Sequence, residues 1–166
     1  MKTYRIDKNS EFIHVDEKSG IPFLLRSEWD GNIELNFLDR VYVENENLYV
    51  KGNFFSYGSI ELLQDVRVNG DIFTGGNIFC RNIFCGRSIR STSDIIVGKY
   101  LFAGDYIFSG GNINGDIISA GGYIHVAEGI NSKEGIFAGG DIHAQKIVTD
   151  GFAFSAKGEG FSNERD

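Results

Sequence analysis

Residues 71–105 read DIFTGGNIFCRNIFCGRSIRSTSDIIVGKYLFAGD, and the following residues, 106–140, read YIFSGGNINGDIISAGGYIHVAEGINSKEGIFAGG. Aligned without a gap, the two stretches are identical at 13 of 35 positions. In both, a large aliphatic residue recurs every six residues, with one step of five. An internal repeat of this kind is typical of solenoid proteins, whose repeats pack only against their neighbours.

The six-residue series extends beyond both stretches, to Phe37 on one side and to Phe154 on the other. All 21 of its positions are apolar, whereas 42% of the residues of the chain are hydrophobic. A step of six is neither the period of a helix nor the alternation of a strand. Since three sides of this length give a coil of 17–18 residues, the series predicts an all-β fold. The predicted fold is a three-sided parallel β-solenoid (β-helix) of about seven coils over residues 37–154.

The predicted interior consists of three columns of large apolar side chains. The columns are Phe37, Phe54, Ile72, Ile89, Ile107, Ile124 and Ile142; Val43, Ile60, Ile78, Ile95, Ile113, Ile130 and Val148; and Leu48, Val66, Ile83, Leu101, Ile118, Ile136 and Phe154. Two positions after the large aliphatic residue there is usually a small or β-branched residue, which shares the inward face of the strand. Corners rich in Gly, Asn and Asp predict turns, because these residues tolerate left-handed backbone conformations.

The two ends depart from the series. Residues 1–36 keep strand-like patterns, such as the alternation of Ile33 and Leu35, and predict an N-terminal β cap or small subdomain. A cap is expected because a bare solenoid end exposes an unpaired strand edge. Residues 155–166 are polar and predict a C-terminal tail.

Composition narrows the class of protein. The chain has 166 residues and a formal charge of −7, which argues against nucleic-acid binding and is compatible with a basic protein partner. We expect no signal peptide, since Met1 to Arg5 lead into no apolar stretch, and no membrane span. Two cysteines, Cys80 and Cys85, make no disulfide framework; they fall at inward positions and are expected to behave as small hydrophobes. A cytoplasmic location is therefore predicted.

The pattern of a large aliphatic residue, a small residue and a Gly-rich corner resembles the bactofilin, or polymer-forming cytoskeletal, family. Gly70-Asp71-Ile72, Gly115-Asp116-Ile117 and the run from Gly140 to Ala144 carry the resemblance, which covers about 70–154. It implies a right-handed β-helix of a bacterial protein that self-associates and has no catalytic residues.

The hexapeptide-repeat acyltransferases have a similar period but place the small residue two before the aliphatic one. Here that position is often polar or charged, as at Arg81, Lys99 and Glu128. Such an enzyme also needs a catalytic histidine beside a cofactor groove, usually with a loop leaving the coil, and no insertion interrupts the series. Right-handed crossovers are the general rule for parallel strands, and we expect a right-handed solenoid.

The positions after the inward aliphatics face outward and are rich in aromatic residues on two sides. One side has Leu38, Phe55, Phe73, Arg90, Phe108, His125 and His143; another has Tyr49, Arg67, Phe84, Phe102, Ser119, Phe137 and Ser155. Large exposed apolar patches usually mark contact with a partner. We predict that Phe55, Phe73, Phe108, Phe84, Phe102 and Phe137 bind a protein partner. The alternative is that the N-terminal segment folds over one of these faces.

His125 and His143 are the candidate metal ligands. They are 18 residues apart and are expected to stack on neighbouring coils. Zinc requires three or four protein ligands, or three and a water molecule, and only two can be named here. Two exposed histidines without a metal are the favoured interpretation, and no cofactor is expected.

Three functional hypotheses follow from the sequence. The first is a non-catalytic solenoid that acts through protein–protein contacts, by self-association or as a scaffold. The second is an acidic immunity or inhibitor protein that binds a basic bacterial toxin, which the charge of −7 suggests. The third is a hexapeptide-repeat-type acyltransferase.

Overall fold

The computed structural model describes residues 1–37, 40–43 and 47–156, and all regular structure in these residues is β. No helix in the described part is long and apolar enough to cross a membrane. The strands are β1 (Thr3–Ile6), β2 (Ile13–Val15), β3 (Pro22–Leu24), β4 (Glu28–Trp29), β5 (Asn32–Leu35), β6 (Val41–Val43), β7 (Leu48–Val50), β8 (Phe54–Ser56), β9 (Ile60–Leu62), β10 (Asp65–Val68), β11 (Ile72–Thr74), β12 (Ile78–Cys80), β13 (Asn82–Cys85), β14 (Ile89–Ser91), β15 (Ile95–Val97), β16 (Tyr100–Ala103), β17 (Ile107–Ser109), β18 (Ile113–Ala120), β19 (Ile124–Val126), β20 (Gly129–Ala138), β21 (Ile142–His143), β22 (Lys146–Thr149) and β23 (Phe152–Ser155).

These strands wind into a three-sided parallel solenoid of about seven turns, as the sequence predicts. The first side has the order β1-β5-β8-β11-β14-β17-β19-β21. The second side runs β3-β6-β9-β12-β15 and ends in β22, and the third runs β4-β7-β10-β13-β16 and ends in β23. Near the C-terminus, β18 and β20 each bend around a corner and serve both of these sides.

The interior matches the predicted columns through the middle of the solenoid. Ile72 lies between Phe54 and Ile89 on the first side, and Ile83 lies between Val66 and Leu101 on the third. The large aliphatics of these columns are 0–2% exposed. A residue of one column therefore packs against the same kind of residue in the coils above and below it, which is how short strands bury their side chains.

Small polar residues at inward positions donate hydrogen bonds to backbone carbonyl groups at the corners. The Ser91 hydroxyl donates to the Gly76 carbonyl (2.7 Å), and the Ser109 hydroxyl donates to the Ser93 carbonyl (2.6 Å). Among the described residues no buried side-chain nitrogen or oxygen lacks a hydrogen-bond partner. Cys80 and Cys85 occupy the same kind of position and are buried, and burial raises the pKa of the Cys85 thiol to about 11. Both therefore behave as small core residues.

The corner glycines have a steric role that differs from the predicted one. Of the described glycines, Gly20 has the left-handed φ of +67°, and the glycines of the solenoid corners do not. A Cβ at Gly104 would lie 2.1 Å from the Gly86 carbonyl oxygen, and one at Gly121 would lie 2.0 Å from the Gly104 oxygen. The prediction of left-handed turns was wrong for these glycines, because glycine is needed there so that one coil can approach the next.

Corner asparagines and aspartates connect the coils through side-chain hydrogen bonds. The Oδ1 of Asn53 accepts the amide of Asp71 (2.8 Å), one coil further on. At another corner, the Oδ1 of Asn77 accepts the amide of Asp94, and the Oδ1 of Asp94 accepts that of Asn112 (3.0 and 2.7 Å). These side chains replace backbone bonds at positions where the chain turns and the strand ladder is interrupted.

The N-terminal segment 1–36 is β structure, as predicted, but the solenoid pairing already begins within it. β1 pairs in parallel with β5, and β5 with β8, so Ile33 rather than Phe37 lies next to Phe54. The non-solenoid part is the antiparallel hairpin β2–β3. Phe12, just before the hairpin, packs edge-on against Trp29 and Tyr4, with ring centroids 5.2 and 6.2 Å apart. The segment thus covers the end of the core, while its strands extend the sides.

The predicted register is wrong in the first and last coils. Val41, not Val43, lies next to Ile60. At the C-terminus, Ile147 and Ala153 lie next to Ile130 and Ile136, and Val148 and Phe154 point outward with 46% and 58% exposure. In the first coil the displacement is two residues, so Val41 and Val43 both stay buried on the same face. In the last coil it is one residue, which reverses every side chain of a strand, so these short strands turn the other face to the core. Ser155 belongs to β23 and is buried rather than starting the tail, and residues 157–166 of the predicted tail lie outside the described residues.

Candidate protein-interaction stripes

Outward side chains on the first side form a column of stacked rings. We call Phe55, Phe73, Arg90, Phe108, His125 and His143 the first-side stripe; Leu38, predicted to begin it, lies outside the described residues. Phe55 and Phe73 stack at 4.7 Å, with 10° between their planes. The Arg90 guanidinium lies 5.1 Å from the Phe108 ring centroid, and Phe108 stacks on His125 at 5.4 Å. The parallel register of the strands imposes this spacing.

A second column follows the third side. The third-side stripe consists of Tyr49, Arg67, Phe84, Phe102, Ser119, Phe137 and Phe154, so Phe154 takes the place predicted for Ser155. The Arg67 guanidinium lies 5.0 Å from the Phe84 ring centroid, and Phe84 stacks on Phe102 at 5.7 Å. Tyr100 adds a ring 6.0 Å from that of Phe102.

The rings of both stripes are accessible. All six predicted phenylalanines are half-buried or exposed, and Phe137 is 40% exposed. On the third side, Tyr49, Arg67, Phe84 and Phe102 line an open groove of about 590 Å³. Gly86 and Gly104 also line the groove.

The charges of the two stripes are positive, although the chain as a whole is acidic. Arg67 and Arg90 each interrupt a run of aromatic residues and pack over a neighbouring ring. The Arg5–Glu34 ion pair (3.1 Å) precedes the aromatic part of the first side. Trp, Tyr and Arg are enriched among the residues that dominate binding energy in protein interfaces, and Phe is enriched in the composition of interfaces.

The two candidate metal ligands are brought together, but without a third ligand. The rings of His125 and His143 are 5.9 Å apart, tilted by 47°, and both are exposed. Asp141 and Tyr123 lie beside them in a depression of about 460 Å³. In the described part of the chain, no group of three or more His, Cys, Asp and Glu side chains could hold a metal ion. Two histidines fall short of the ligand number that zinc requires.

A smaller aromatic cluster lies on the second side and was not predicted from the sequence. Phe23 lies 5.6 Å from Tyr42, and the Arg40 guanidinium lies 5.8 Å from the Phe79 ring and 2.8 Å from Glu61. Phe79 directly follows an inward isoleucine, so the rule that gave the other stripes could have found it.

No protein-family model, curated protein or solved structure matches this chain. The resemblance to the bactofilin family therefore stays a prediction that rests on the residues of the repeat.

Proposed function

We propose that this protein is a non-catalytic solenoid that acts through protein–protein contacts, and that the third-side stripe is its main contact surface. The observation that carries the proposal is the column of accessible rings from Tyr49 to Phe154, with Arg67 packed within it. Fully burying one phenylalanine contributes about 1.5–3 kcal/mol, and rings that are already half-buried retain about half of this for a partner. Several such rings in one line supply enough free energy for specific association.

The rigidity of the stripe supports the proposal. Each ring is attached to a strand whose inward residues are locked in the core, such as Ile83 and Leu101 beside Phe84 and Phe102. The rings stack on one another and lose little conformational freedom when a partner binds. Preorganised aromatic side chains contribute more to affinity, because less entropy is lost on association.

Site-specific photo-crosslinking in cells of the native organism tests the proposal. A photoreactive phenylalanine analogue is placed at Phe84, at Phe73 and, as a matched control, at the exposed second-side residue Asn131. We expect discrete covalent adducts from the two stripe positions and none from the control. An adduct with twice the 18.4 kDa mass indicates self-association, and another mass indicates a different partner. Equal labelling at all three positions would refute the proposal.

The acidic charge supports a second candidate, an immunity or inhibitor protein for a basic toxin. Steering by a charge of −7 would make the association rate fall steeply as salt increases. The stripes carry arginine rather than carboxylates, so contact through them predicts a weak salt dependence instead. Measuring the association rate of a captured partner at two salt concentrations separates the two candidates.

A further inference from the structure

Arg67 is an exposed cation in the groove of the third side, and it has no ion-pair partner among the described residues. Its guanidinium lies over the Phe84 ring, 5.0 Å from the ring centroid. Asp65, two residues earlier on the same strand, already accepts a hydrogen bond from Arg81 at 2.8 Å. Four other arginines each pair with a carboxylate at 2.8–3.2 Å: Arg5, Arg40, Arg81 and Arg87. The chain thus leaves Arg67 unpaired, although it has 23 acidic residues and 16 basic ones.

The rest of the groove is uncharged, and its stacked rings present their edges. The uncharged residues that line it are Tyr49, Val68, Asn69, Phe84, Cys85, Gly86, Phe102, Ala103 and Gly104. The register of the strands places Arg67 on one face of the Phe84 ring and Phe102, stacked at 5.7 Å, on the other. The edge of an aromatic ring is the positive end of its quadrupole, so it attracts ring faces and anions. The groove is therefore a locally positive surface on an acidic protein.

The backbone beside the groove leaves no place for an added strand. β10 and β13 each pair with a neighbouring strand along both edges. The amides of Gly86 and Gly104 donate to the carbonyls of Val68 and Cys85 in the preceding coil, at 2.8 and 3.0 Å. A partner must therefore be recognised by side chains. A guanidinium that stacks by its face keeps its in-plane N–H groups, which can bind both oxygens of a carboxylate.

We propose that the third-side groove binds a polypeptide partner through an acidic side chain that is flanked by aromatic residues. The carboxylate pairs with Arg67, and the partner's rings lie with their faces against the edges of Phe84 and Phe102. The inference rests on the proposed contact function and names the chemistry of the partner. A nucleic-acid strand fits less well, because neutralising a phosphate backbone takes several cations and this groove offers one.

Peptide titration of the isotope-labelled full chain, followed by NMR, tests the proposal. The probes are acetyl-Phe-Asp-Phe-amide and its analogues with Asn or Lys at the centre. The amide resonances of Gly86 and Gly104 report on the groove, and that of Gly129, on the second side, is the control. We expect the Asp peptide to bind about fivefold tighter than the Asn peptide, which corresponds to an ion pair of about 1 kcal/mol. The Lys peptide should bind more weakly than either.

Substitutions of Arg67 show whether this residue causes the preference. Arg67→Gln should abolish the difference between the Asp and Asn peptides, and Arg67→Glu should reverse the order so that the Lys peptide binds tightest. Arg90→Gln is the matched control, because it removes a guanidinium stacked at 5.1 Å on Phe108 of the first side, and it should change nothing. An unchanged amide spectrum of each free variant shows that it is folded.

Four results would overturn the proposal: no binding of the Asp peptide, equal affinities of the three peptides, a preference that survives Arg67→Gln, or tighter binding of an oligothymidylate than of the Asp peptide. Crosslinking at Phe84 does not require a carboxylate, so the two proposals can fail separately. Adducts at Phe84 together with equal peptide affinities would refute the inferred chemistry and keep the contact function. Stripe positions that label no better than Asn131 would refute the contact function itself.

Discussion

Replacing Gly104 by alanine should destabilise the solenoid by an amount that the corner geometry sets. The new Cβ would lie 2.1 Å from the Gly86 carbonyl oxygen, whereas real Cβ contacts lie above 3.0 Å, so the two coils must separate by about 0.9 Å at this corner. The amide of Gly104 donates to the Cys85 carbonyl at 3.0 Å, and such a separation breaks this bond. Overpacking costs about 1–3 kcal/mol and a lost hydrogen bond about 1 kcal/mol. We expect a loss of about 3 kcal/mol, or about 6–12 °C in Tm.

Gly98→Ala is the matched control, because Gly98 is also an exposed glycine next to a strand of the third side. Its Cβ would come no closer than 3.5 Å, to the Arg81 carbonyl oxygen, which is ordinary contact. Replacing Gly98 by alanine reduces the conformational entropy of the unfolded chain and should raise the free energy of unfolding by about 0.4–1 kcal/mol. Urea and thermal unfolding followed by circular dichroism measure both variants. If Gly104→Ala is as stable as Gly98→Ala, the steric explanation of the corner glycines is refuted.

Three further predictions concern charge, core and metal. The pKa of Asp65 is lowered because the half-exposed Arg81 side chain donates a hydrogen bond to its carboxylate. The charged carboxylate therefore stabilises the fold above about pH 4, and this stabilisation is lost as the pH falls through the pKa of Asp65 in the folded state. Asp65→Asn should therefore cost about 1 kcal/mol at pH 7 and progressively less below pH 4 in urea unfolding, and a gap that widens in acid would contradict this. Ile107→Ala should cost about 2–5 kcal/mol, because the side chain is 0% exposed, while Leu63→Ala, at 69% exposure, should cost little; equal losses would refute the predicted packing. Zinc should leave the Tm unchanged, and a rise that disappears when His125 and His143 are replaced by alanine would demonstrate a site.

The middle of the fold could be predicted from the sequence because one pattern repeats there without interruption. From Leu48 to Ile142 the spacing of the aliphatic residues gives the inward positions, and the structure confirms them. The coils at the ends could not be placed by spacing alone. Ile147 and Val148 are adjacent and both apolar, so a step of five or of six residues from Ile142 reaches an apolar residue.

A second rule in the sequence would have resolved the last coil. The residue two positions after an inward aliphatic is usually small or β-branched, because it shares the narrow interior. Thr149 meets this requirement for Ile147, whereas Asp150 fails it for Val148. By contrast, the side-chain ladders at the corners depend on how two coils are stacked, and no pattern within a single coil shows which amide the Oδ1 of Asn53 or Asn77 accepts.

Folding alone does not explain the composition of the third-side stripe. An outward position on a strand favours Val, Ile and Thr as well as aromatic residues, since all of them suit a pleated surface. The eight outward positions from Glu28 to Phe154 hold five aromatic residues and no Val, Ile or Thr. The inward positions of the same strands are occupied largely by Ile, Leu and Val, so the chain uses β-branched residues freely where packing alone matters. The preference for rings, with arginine among them, at positions that the core does not need supports the proposed contact surface.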